Sequence, residues 1–278
     1  SYYGYASLAF EGTQTLGGHA EIVSTDSGGY YYNTLEMLGE GELTLGADVR
    51  VHGSALNIGS ALTSGAVALQ RLVNLGTIEA DTGTVQVLAD DFRNEGIAKA
   101  SGGSLNLSSA NISSGSSGQF HISDGTFNLG GTFDTTDFGG FVASGGVVNF
   151  NGTVENSAST LMLPLMPGDW VLNDTIHGGT LQIATGESLT VASGTRNSRL
   201  DSVTVVGDID LVNATLRLKD VVIDGRVNLP DTIYHGYASL AFEGTQTLGG
   251  HAEIVSTDSG GYYYNTLEML GEGELTLG

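Results

Sequence analysis

A five-residue pattern recurs along this 278-residue chain: glycine, a small or β-branched residue, an apolar residue, an amide and a second apolar residue. It reads GTVQV at Gly83, GSLNL at Gly103, GTFNL at Gly125, GVVNF at Gly146 and GTLQI at Gly179, so its successive steps along the numbering are 20, 22, 21 and 33. GELTL at Gly41 lies two steps of 21 before Gly83, with threonine in the amide position. In an extended strand alternate side chains share a face. Val85 and Val87, Leu105 and Leu107, Phe127 and Leu129, and Val148 and Phe150 therefore point inward, and Gln86, Asn106, Asn128 and Asn149 point outward. Strands this short cannot bury an apolar face alone. Stacked at about 4.8 Å on equivalent strands from successive units, they bury a continuous core. The expected fold is all-β: a right-handed parallel β-helix, a solenoid with coils of about 20–22 residues. The strict hexapeptide rhythm of a left-handed helix is not found, and uneven corners favour the right-handed form.

Composition agrees with that reading. Glycine, at 43 residues, supplies corners where the backbone must bend sharply, and it shows no three-residue period. A hydrophobic content of 40% argues against disorder. The runner-up, a set of small β-sandwiches, predicts turns every 8–12 residues or so and a clear domain boundary. The one candidate boundary is LMLPLMPGDW, residues 161–170, which holds two of the three prolines and the only tryptophan. It falls inside the longest step, from Gly146 to Gly179, and is too apolar for a linker, so it reads as an enlarged coil or a loop thrown out of the stack.

The chain also repeats itself at long range. Residues 4–46 recur at 236–278 with all 43 positions identical, each displaced by 232 in the numbering. Domains that merely kept a fold would have drifted at exposed positions. The reading is one continuous β-helical solenoid over 1–278, with a 232-residue tandem super-repeat. A duplication confined to one end is the alternative. With no initiator Met and no apolar leader, the first residues read as the interior of a longer array.

Charge bounds the partners. Against 31 acids stand 9 bases, a net charge of −22; residues 233–278 hold six acids and no base, so 1–232 carries −16. Such a surface repels nucleic acid and anionic lipid, and no apolar stretch is long enough to span a membrane. The absence of cysteine excludes disulfides and thiolate metal sites.

Units such as NLGTIEADTGTVQVLADDFRNEGIAKASGGSLNLSSA, from Asn74, resemble the β-strand repeats of filamentous-haemagglutinin-type exoproteins and autotransporter passengers. The later stretch SLTVASGTRNSRLDSVTVVGDIDLVNATLRLKDVVIDGRVNL is similar in style. The resemblance covers most of the chain and lies in repeat texture. It implies a secreted bacterial surface protein with a right-handed β-helix, often adhesive.

Chemistry is sparse. Neither a phosphate loop, a dinucleotide fingerprint nor a nucleophile elbow occurs, and the histidines (19, 52, 121, 177, 235, 251) lack metal-ligand spacing. Neither a catalytic residue nor a metal or cofactor site is expected. Because β-helices also host polysaccharide lyases and hydrolases, the crowd Arg217, Lys219, Asp220, Asp224 and Arg226 is the nearest approach to an active site. Ion pairing between coils on a solvated face is the simpler account. Asp90–Asp91 and Asp208–Asp210 are too sparse to form calcium sites. The candidate surface-binding residues are Tyr30, Tyr31 and Tyr32, copied at 262–264, whose rings can stack on sugars or on a neighbouring fibre. The outward amides read as a hydrogen-bonded ladder stiffening the stack.

Three functional readings follow. The first is a structural extracellular fibre or stalk on a bacterial surface, its partners the neighbouring repeats of the same chain or fibre. The second is an adhesin gripping glycan or another cell surface through its lateral face. The third is a polysaccharide-degrading β-helix enzyme.

Overall fold

The computed structural model describes residues 6–25, 33–136, 140–191, 198–230, 237–257 and 265–278. Among them there is no helix; short strands, nearly all in parallel register, make up the chain. The fold is a parallel β-helix, and it divides into two compact units, Ser1–Val148 and Asn149–Gly278.

In the first unit three columns of strands run up the stack. One contains Leu56–Ile58, Thr84–Val87, Ser104–Leu107 and Thr126–Leu129, where Val85 faces Leu56 and Leu105, and Leu105 faces Phe127. Val85, Leu105, Phe127 and Val148 are all fully buried, as alternation requires. A second column contains Glu21–Thr25, Arg50–Ser54, Thr77–Ala80, Ile97–Ala100 and Gln119–Ile122. The third contains Gln14–Leu16, Glu42–Leu45, Arg71–Asn74, Asp91–Asn94 and Asn111–Ser114. GELTL therefore does not stand two coils below GTVQV. It lies on another face; Leu56–Ile58 (LNI) lies directly beneath Val85 and Asn33–Leu35 one coil below that. The cause is coil length. The numbering advances by 29 from Leu56 to Val85, because an excursion at residues 60–67 folds back and pairs antiparallel with Met37 and Leu38.

The expected coil length holds where Val85 steps to Leu105 and Leu105 to Phe127. Elsewhere the step ranges from 18, Ile209 to Val227, up to 29, Gln14 to Leu43.

The second unit repeats the scheme. Thr160–Leu163 pairs with Thr180–Ile183, and Trp170–Leu172 with Leu189–Val191, steps of 20 and 19 along the numbering. The stretch 161–170 is thus neither an enlarged coil nor an ejected loop. It supplies the strands Thr160–Leu163 and Gly168–Leu172, with only the turn at Pro164–Pro167 between them. Trp170 is fully buried, stacks on Phe150 at 6.2 Å and donates its indole N–H to the Pro164 carbonyl at 3.1 Å. Leu161, Leu163, Met166 and Trp170 there are core, whereas Met162 and Leu165 face out.

The first unit's core is tied by aromatic contacts around Phe120, whose ring lies 5.5 Å from Phe127 and 5.8 Å from Phe133. Inward-facing asparagines close one corner: Asn74 Nδ2 donates to Asn94 Oδ1 at 2.8 Å, both residues fully buried. Asn94 in turn donates to the Gln119 carbonyl at 3.0 Å. Asn74 and Asn94 stand in register on neighbouring coils.

The motif glycines have a direct steric role. A Cβ on Gly103 would meet the Gly83 carbonyl oxygen at 2.2 Å, and one on Gly125, at φ +78°, would meet that of Gly103 at 2.1 Å. Both contacts fall on backbone that cannot yield without opening the stack. Gly103→Ala is expected to cost at least about 2 kcal/mol, as overpacking against rigid backbone does, read from the midpoint shift in denaturant unfolding. Unchanged stability would mean the coils can separate there.

Candidate functional site

Outward faces carry the chemistry of a solenoid, since inward positions are apolar. On the first unit the second column sets Glu21 beside Arg50, and His52 beside Glu79, which in turn faces Lys99. Arg50 donates to Glu79 at 2.9 Å and to Glu21 at 3.0 Å. Lys99 Nζ lies 2.9 Å from Glu79, and His52 Nδ1 lies 2.7 Å from Asp81. Glu79 is buried. Burial works against its ionisation, but hydrogen bonds from Ser101, Lys99 and Arg50 prevail and carry its pKa down to about 2. His121, next on the column, is pushed down by burial and by the Lys99 charge.

The second unit has a matching cluster. Arg199 stands above Arg217, and Asp201 above Lys219. Two stacked guanidiniums would repel, and Glu243 offsets them: it accepts from Arg199 at 2.9 Å and lies 2.6 Å from Arg217 Nε. Asp201 lies 2.6 Å from Arg199 and 3.8 Å from Lys219. The hydrogen bonds from Arg199 hold the Glu243 carboxyl below the usual range.

The sequence-level crowd at 217–226 is therefore divided. Arg217 and Lys219 join Arg199, Asp201 and Glu243 on one column, with Leu216 and Leu218 fully buried beneath. Asp224 and Arg226 lie on the strand Val222–Leu229 and line an open depression with Asp208, His251 and Glu253. Arg226 pairs with Glu253 at 2.9 Å, and its backbone N–H donates to Asp208 at 2.9 Å. Asp220, at φ +52°, turns the corner between the two strands. Arg199, Asp201 and Glu243 were missed because ion partners up to 44 residues apart leave no local signal.

The amide column is in register: Asn57, Gln86, Asn106 and Asn128 stand in line, and Asn128 donates to Asn106 at 2.6 Å. Tyr30, Tyr31 and Tyr32, with their copies, lie outside the described residues. Among the described residues no three His, Asp or Glu side chains converge as metal ligands, and no helix is long and apolar enough to cross a membrane. Every carboxylate there with a resolved shift, Glu36, Glu79, Glu95, Asp201 and Glu243, is shifted downward.

Compared with protein families, with curated proteins and with solved structures, the chain matches none.

A depressed carboxylate pKa stabilises the fold above the unfolded value and loses that contribution as pH falls through the folded one. For Glu79 the window runs from about 4.5 down to about 2. Glu79→Gln should be less stable than the parent by up to about 3 kcal/mol at pH 7. That gap should close between pH 5 and pH 2, roughly, in parallel denaturant titrations. A gap independent of pH would show that the glutamate acts by packing alone.

Proposed function

We propose that the chain is a structural part of an extracellular fibre or stalk on a bacterial surface, built from tandem 232-residue β-helical periods like the filamentous-haemagglutinin-type and autotransporter-passenger repeats it resembles. One observation carries the reading. The second copy of the duplicated segment is an ordinary continuation of the stack that precedes it: Ser239–Phe242 pairs in register with Thr215–Leu218, and Gly249–Ser256 with Val222–Leu229. The end of one period thus feeds the start of the next without a break in the backbone ladder. In such a fibre each period adds length and stiffness, and the net −16 of residues 1–232 keeps neighbouring fibres apart.

The lateral charges fit this role better than catalysis. A glycosidase needs a carboxyl with raised pKa across a groove from a second carboxylate. Here Glu79, Asp201 and Glu243 are ion-paired and shifted downward.

Chains of one, two and three periods should appear in negative-stain images as rods that lengthen in equal steps of roughly 40–55 Å, given about 4.8 Å per coil. Particles that grow in all directions would overturn the stalk. The purified chain should also leave pectin and alginate intact. Depolymerisation abolished by Asp224→Ala would instead establish an enzyme.

A further inference from the structure

Residues 60–67 leave the parallel stack and fold back, so that Ala66 and Val67 pair antiparallel with Leu38 and Met37. The base of this loop is pinned. Gly59, at φ +104°, donates its N–H to the Leu35 carbonyl at 2.8 Å, and its own carbonyl accepts from the Leu69 N–H at 3.1 Å. Leu69 is fully buried, so the chain leaves the coil and re-enters it at adjoining points. Between them the Ala66 N–H donates to the Thr63 carbonyl at 3.0 Å and closes a turn around Gly65, at φ +90°. Leu62 and Val67 are exposed on the outside of the loop.

Beneath it lies the strand Asn33–Leu38, whose alternation puts Leu35 and Met37 inward and Thr34 and Glu36 outward. Thr34 heads the outward row that continues through Asn57, Gln86, Asn106 and Asn128. Those four amides are half-buried, whereas Thr34 is 2% and Glu36 1% exposed. The loop accounts for the difference. Thr34 Oγ1 lies 2.9 Å from Ser60 Oγ. Glu36 Oε2 accepts from the backbone N–H of Leu62 at 2.8 Å and of Thr63 at 3.1 Å, and Oε1 accepts from Thr63 Oγ at 2.6 Å and from Ser7 Oγ on the coil below. Three of the four donors thus belong to the loop. No cation among the described residues pairs with this carboxylate. Its own strand brings Thr34, the coil below brings Ser7 and, opposite Leu38, Glu11, and residues 60–67 carry no charge. Burial works against ionisation of Glu36, but the bonds from Ser7, Thr63 and Leu62 prevail and hold its carboxyl below the usual range.

We infer that residues 60–67 form an acid-released strap over the side of the solenoid, latched by the Glu36 carboxylate. Ionised, Glu36 accepts four hydrogen bonds and holds the strap shut. Protonated, it carries an O–H of its own and points it at a loop that offers donors, two of them backbone N–H groups that cannot turn round. The remaining hold is slight: a two-residue ladder and the contact of Thr34 with Ser60. Closure also leaves a polar atom unmet. Asn57 Oδ1, in register with Thr34, is buried with no hydrogen-bond partner among the described residues, a cost that water removes once the strap lifts. The latch is at full strength above the ordinary glutamate range and is lost as pH falls through the lower pKa of the latched state. Lifting the strap bares Thr34, Glu36 and the strand edge at Met37 and Leu38, which Leu56–Ile58 does not reach. An uncovered edge is a template for another strand.

Amide hydrogen exchange on the full chain, corrected for the intrinsic effect of pH, tests the latch. Between about pH 7 and pH 3 the protection of Leu62, Thr63 and Ala66 should fall at least about tenfold, while the strands Thr84–Val87 and Ser104–Leu107 keep theirs. Glu36→Gln should already show the open level at neutral pH and respond no further to acid. Thr63→Val keeps the carboxylate but removes one donor, so its strap should open at a higher pH than the parent's. Strap protection untouched by acid overturns the latch. So does an acid response that persists in Glu36→Gln, or a loss shared equally by the two control strands. If Glu36→Gln does not fold, the parent and Thr63→Val titrations are compared directly, and an opening pH that Thr63→Val fails to raise overturns it.

Discussion

Parallel, in-register hydrogen bonding from coil to coil is the constraint on which the rest of this molecule depends. A three-strand coil has no core of its own, so each exists only because the next lies about 4.8 Å away with its side chains directly above. Register then decides composition. Inward, apolar residues stack on apolar residues, as Leu56, Val85, Leu105 and Phe127 do. At the corners, glycine is required wherever the backbone beneath comes close, because a Cβ on Gly103 or Gly125 would strike the carbonyl of the coil below. Outward, an amide can stack on an amide, each donating and accepting, whereas charges cannot repeat. The glutamate at position 79 lies beside His52 and Lys99 and is reached by Arg50, and Arg199 over Arg217 is tolerated because Glu243 and Asp201 flank them.

That constraint also explains what could be read from sequence and what could not. Residues 83–129 announced themselves because their coils are regular: the steps from Val85 to Leu105 and on to Phe127 are 20 and 22, so like stacks on like. GELTL failed for the converse reason. Period-two alternation says which residues point inward, not which of three faces a strand occupies. Assigning the face requires coil length, and the excursion at 60–67 lengthened that coil to 29. The prolines and tryptophan of 161–170 misled in a related way, since Pro at a corner is compatible with the stack when strands of ordinary length flank it.

The lateral clusters lay deeper still. Glu79 and Arg50 are 29 residues apart, Arg199 and Glu243 are 44 apart across two coils, and neither pair has a local signature. Only Arg217 and Lys219, adjacent on one outward face, were legible, and they suggested a site that the turn at Asp220 divides between two columns. The contacts of Phe120 with Phe127 and Phe133 and of Phe150 with Trp170 are core contacts, and their function is packing.

The duplicate separates two things that a single structure usually confounds. Since Gly4–Gly46 and Gly236–Gly278 are identical in sequence, any difference between them must come from outside the segment. The pairing of Ser7–Glu11 with Thr34–Leu38 and the bonds from Ala6 N to Asn33 and from Ser7 to Glu36 recur in the second copy, so they are encoded within these 43 residues. Burial differs almost completely: Leu8 and Leu240, or Leu45 and Leu277, lie at opposite extremes. The depressed pKa of Glu243 belongs to Arg199 and Arg217, which lie outside the duplicated segment. A segment that specifies its own register but depends on its neighbours for burial is suited to being a joint. It presents the same ladder to whatever stack it joins, and it becomes stable only once that stack is there.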